Sequence, residues 1–134
     1  MDLLDQPHEL RSPAVISDEV DGEVLAIDLD QGIYYVVPPA AAHVWRALTR
    51  GVPARVVAAD RTAGEQQAVA AFLAQLVEVG LVRAAPAPII PDAPVPWDGS
   101  PLLLEAHDDM ADLLGLDPIH DADDVAGWPT PPPE

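Results

Sequence analysis

Residues 15–48, VISDEVDGEVLAIDLDQGIYYVVPPAAAHVWRAL, decide the fold. Asp21-Gly22 and Asp30-Gln31-Gly32 are turn signals in which Gly supplies a positive φ. Around them run Val24–Leu29 and Ile33–Val37, rich in β-branched and aromatic residues, so the stretch reads as three short antiparallel strands. Pro38-Pro39 ends the third, because proline donates no ladder hydrogen bond and presets φ for a helix start. A three-stranded sheet has open edges that must be covered, blunted or used.

Three helices are expected after the strands. In Pro39–Arg50, Ala42, Val44, Trp45 and Leu48 form an apolar stripe that Gly51 closes. Pro53–Asp60 is short, anchored by Val56 and Val57. Thr62 with Glu65 makes a T-x-x-E capping box for the third helix. Its buried stripe is Val69, Phe72, Leu73, Leu76, Val77 and Val79, and Gly80 ends it. Leu81-Val82 packs back on the core as an extended or turn segment. The order strand-strand-strand-helix-helix-helix makes the module α+β, and about 70 residues suffice for one core.

The chain has 134 residues, no cysteine and a formal net charge of −17. Absence of cysteine excludes disulfides, thiol catalysis and Cys-based zinc sites. No apolar run approaches the ~20 residues that cross a bilayer, and the acidic start is unlike a secretory signal, so a cytoplasmic protein without membrane partners is expected. All six basic residues are arginines, from Arg11 to Arg83, whereas the eleven acids from Asp92 onward have no basic counterpart. Eleven of the sixteen prolines also lie after residue 85. These shifts divide the chain into an N-terminal arm (1–12), a folded module (13–84), a Pro-rich linker (85–101) and an acidic tail (102–134).

The hairpin EVLAIDLDQGIYYVV, the helix AAAHVWRALTRG and the closing FLAQLVEVGLVR resemble the PqqD-like family. Members are peptide-recognition elements in the biosynthesis of ribosomally made, post-translationally modified peptides. The likeness covers about 70 residues and rests on Gly32-x-Tyr34-Tyr35, Trp45 and Gly80-Leu81-Val82. It implies a small winged-helix-like domain without catalytic residues or cofactor, which adds a precursor's leader peptide as a strand beside its third strand, here Ile33, Tyr34, Tyr35, Val36 and Val37. The partners implied are that peptide and a separate peptide-modifying enzyme, with the adaptor a monomer or weak homodimer. The third helix would wall the groove through Gln66, Ala70 and Leu73, with small neighbours leaving room for apolar ligand side chains. The bland alternative is that Tyr34, Tyr35 and the alanines only pack the module's own core.

Residues 102–116, LLLEAHDDMADLLGL, read as a short acidic amphipathic helix starting near Asp108. The tail then offers a docking motif in Leu113, Leu114, Asp117, Pro118, Ile119, His120 and Trp128. It docks on an enzyme, folds back on the domain's edge, or is itself the modified substrate of a fused carrier; a plain solubilising tail is the alternative. A winged-helix regulator is disfavoured, because duplex binding needs clustered cations and this chain's net charge repels nucleic acid. His107-Asp108-Asp109 and His120–Asp124 fit no metal template, and no H-E-x-x-H or phosphate loop occurs, so neither metal nor enzyme activity is expected. His43 reads as a partly buried structural residue.

Overall fold

A computed structural model describes residues 2–108. The fold is α+β, with three helices and two antiparallel sheets. The expected hairpins form β2 (Val15–Val20), β3 (Glu23–Asp28) and β4 (Ile33–Val37), with Gly22 at φ +84° and Gly32 at φ +69° in the turns. Alternation then decides the faces: Val24, Ala26 and Asp28 of β3 and Tyr35 and Val37 of β4 point inward and are buried. Asp28 is a fully buried carboxylate. It accepts from the backbone N–H of Asp30 (3.0 Å) and Gln31 (3.1 Å), from Gln31 Nε2 (2.9 Å) and from Arg11 (3.1 Å). These four hydrogen bonds satisfy its buried oxygens and pin the β3–β4 turn.

The first helix packs on β3 and β4, and the other two pack behind it. In α1 (Pro39–Thr49), Ala41, Ala42, Val44, Trp45 and Leu48 are buried. The short α2 (Ala54–Val57) comes next, and α3 (Ala63–Glu78) begins with the capping box: Glu65 N–H donates to Thr62 Oγ1 at 3.1 Å, and Thr62 N–H to Glu65 Oε1 at 3.2 Å. Val69, Phe72, Leu73 and Leu76 are its buried stripe, while Val77, expected inside, is 39% exposed.

The sheet differs from the three strands expected. β1 (His8–Leu10) lies in the N-terminal arm and pairs with β5 (Val82–Ala84) as a separate two-stranded ribbon. The main sheet has four strands in the order β2-β3-β4-β6, its last member being β6 (Glu105–His107). In the stretch 102–116, read as an acidic helix starting near Asp108, residues 102–107 hold no helix and 105–107 form a strand. From residue 109 the stretch lies outside the described residues, as do Leu113, Leu114, Asp117, Pro118, Ile119, His120 and Trp128 of the docking motif. No helix among the described residues is long and apolar enough to cross a membrane.

Candidate functional site

β4 is the strand from which the site is built. One side pairs with β3, from Val24↔Val37 to Asp28↔Ile33. On the other side β6 runs antiparallel, with Tyr34 opposite His107, Tyr35 opposite Ala106 and Val36 opposite Glu105. The Tyr34 and His107 rings stack with centroids 4.8 Å apart and planes 13° from parallel. Upstream, Leu102 and Leu104 pack against the core and Leu103 between them is 56% exposed. Burial holds the Tyr35 hydroxyl above its ordinary pKa, with the negative charge of Asp28 adding to it, so the ring stays a neutral wall.

The Pro-rich segment that leads to β6 has no helix or strand, yet it packs on the body as a strap. Ile89 N–H donates to Gly51 O at 2.9 Å, where Gly51 has φ +107°. Further on, Arg61 holds the strap in three ways. Its Nη2 donates to Val95 O (3.0 Å) and Trp97 O (2.6 Å), and its guanidinium carbon lies 4.8 Å from the centre of the Trp97 ring. Trp97 is 4% exposed, and its indole N–H donates to Ser100 O at 2.9 Å. Gly99 turns the chain at φ +87° beside the start of α3, where an added Cβ would meet Glu65 Oε2 at 2.6 Å. The Asp98 carboxyl accepts from Ser100, which holds it below the usual carboxylate range.

The residues expected to line the groove are dispersed. Ile33, Tyr34, Tyr35, Val36 and Val37 share β4, with Tyr35 and Val37 turned into the core and Ile33, Tyr34 and Val36 half-buried. Leu73 is fully buried, Ala70 is half-buried, and exposed Gln66 donates to Arg61 O at 3.1 Å. Gln66 lines a cavity with Leu4, Ala54 and Arg55. Sequence reasoning missed Arg61, Trp97 and Gly99 as anchors of the strap, and the strand at residue 105. Only the isolated Trp97 among prolines was a signal, since a large aromatic seldom sits in a bare linker.

Most arginines are engaged within the chain. Arg11 bonds Asp28, Asp30 and Gly80 O; Arg46 bonds Glu19; Arg55 bonds Asp2 and Asp5; Arg83 bonds Glu9. The Arg46 hydrogen bond holds the Glu19 carboxyl below its ordinary value. His43, expected to be partly buried, is exposed, with Nδ1 3.4 Å from Arg46 Nη1. No group of three or more metal-ligating side chains occurs among the described residues. No protein-family model, curated protein or solved structure matches the chain.

Proposed function

We propose that this protein is a non-catalytic adaptor that captures an extended peptide by strand addition to β4 and hands it to a separate modifying enzyme. One observation carries the reading: a segment from outside the module already occupies that edge as β6, in antiparallel register. An edge that accepts one strand offers the same main-chain donors and acceptors to another. The winged-helix-like and PqqD-like character belongs to this reading, supported by the hairpins that lead into three helices. Engagement of the arginines with the chain's own acids and carbonyls leaves little for phosphates, which supports a peptide partner over nucleic acid.

The resident strand acts as a placeholder. Only three residues pair, and at about 0.5–1.5 kcal/mol for each net hydrogen bond the ladder contributes a few kcal/mol. A tethered segment competes at an effective concentration of order millimolar, so an incoming peptide must bind well below that to displace it.

The test uses the full chain carrying Leu102→Asp and Leu104→Asp, which disables the resident strand. A labelled peptide of residues 98–108 is expected to bind this chain more tightly than it binds the wild type. No binding to a variant that keeps its circular dichroism ends the reading.

A second reading is favoured by the stretch of chain beyond β6. Twenty-six residues, 109–134, extend from a strand held where a leader would lie. In a fused carrier this extension is the segment presented for modification. Intact mass of protein purified from its native host then exceeds the sequence mass, and an unmodified mass opposes it.

A further inference from the structure

The resident strand also states what the slot recognises. We infer that the slot selects peptides of the pattern aliphatic-x-aliphatic-x-x-ring, running antiparallel to β4, the pattern of Leu102, Leu104 and His107. The inference rests on the adaptor reading and adds to it a ligand class.

Register fixes the argument. With His107 opposite Tyr34, position 107 lies on the outward face of the sheet, where Tyr34 supplies a flat ring. Upstream of the three paired residues, Leu104 and Leu102 are the partly buried side chains of the resident segment. Both pack against the core, and Leu103 between them is 56% exposed. Glu105 and Ala106 are exposed, so positions 103, 105 and 106 carry little selection. Selection thus uses two apolar seats against the core and one stacking platform on the outward face of the sheet. A one-residue slip would put a ring into an apolar seat and turn the aliphatics to water, so the pattern also sets register.

Charge adds no competing rule. Leu103, Leu104 and Glu105 of the resident segment meet Glu23, Val36 and Pro38 of the module around a cavity of about 320 Å³ at this edge, and those three module residues include no cation. The slot therefore reads shape and apolarity rather than an acidic tag.

The test uses the full chain opened by Leu102→Asp and Leu104→Asp, titrated with synthetic peptides of residues 98–108. The native peptide and its Leu103→Asp form are expected to bind within about threefold of each other. The Leu102→Asp, Leu104→Asp peptide is expected to lose ~100-fold or more, since it gives up two aliphatic side chains that pack against the core. A His107→Ala peptide is expected to lose about 3- to 10-fold, from the ~0.5–1.5 kcal/mol of a stacked ring pair, and His107→Trp to recover it. The wild-type chain with excess native peptide supplies the second measurement: NMR signals of residues 102–107 are expected to shift as the resident strand is released. Equal binding of all these peptides overturns the pattern while leaving strand addition intact. Binding of none to the folded, opened chain, with no release in the wild type, overturns both.

Discussion

Arg61→Ala is the perturbation that most sharply separates a held strap from a linker. The guanidinium makes two charge-assisted hydrogen bonds to carbonyls and covers an indole face. Hydrogen bonds to charged groups contribute about 1.5–3 kcal/mol each, but both arise here from one nitrogen, so the pair is counted at about the value of one. The cation–π contact adds about 0.5–1 kcal/mol at a site that is partly solvated. Together they come to about 2–4 kcal/mol, lost locally because the strap can lift while the core stays folded. At about 1.4 kcal/mol per tenfold, amide exchange at Ile89 and Trp97 is expected to speed up about 30- to 1000-fold, with α3 unchanged. These amides report directly, since they donate to Gly51 O and Val95 O. Exchange within about threefold of wild type would refute the assignment of Arg61 as the strap's anchor. Uniform acceleration across α3 would equally refute it, as global destabilisation.

Other perturbations act on the same contacts. Gly99→Ala forces a side chain to φ +87° and brings its Cβ against Glu65 Oε2, so strap docking is expected to weaken by about 1–2 kcal/mol, read by Trp97 fluorescence. Adding Glu65→Ala should recover the steric part but not the backbone part. Tyr34→Ala removes the ring under His107 and is expected to accelerate exchange at β6 by about 3- to 10-fold while leaving β3 protected. His8 is buried, and burial lowers its pKa below 6.5. The unfolded chain then binds the proton more readily, so this stabilisation is complete above pH ~6.5 and lost as pH falls through that value toward the lowered one. The urea midpoint should drop between pH 7.5 and 5, by less in His8→Gln; equal drops in the two proteins contradict the burial argument.

What the sequence conveys of this fold is what is local. Gly22 and Gly32 fix two turns, Pro38-Pro39 separates strand from helix, and Thr62 with Glu65 marks a helix start, each within a few residues. β1 escapes because three residues beside Pro7 carry no period, and only β5, more than 70 residues away, makes them a strand. β6 escapes for the same reason. Glu105-Ala106-His107 has neither β-branched residues nor alternation, and only pairing with Tyr34–Val36 makes it a strand. Ile33–Val37 is recognisable as a strand from composition alone, whereas its place beside another segment is a matter of tertiary contact. The strap is least legible, since prolines that read as a spacer hold an extended path whose anchors, Arg61 and Gly51, lie elsewhere in the chain.

The most direct measurement tracks β4 in the uniformly 15N-labelled full chain as unlabelled peptide 98–108 is added. The account predicts that amides of Ile33–Val37 shift but stay protected from exchange, while residues 102–107 lose protection as the peptide takes their place. Resonances of β4 and β6 that remain fixed at saturating peptide, or shifts confined to another surface, contradict it.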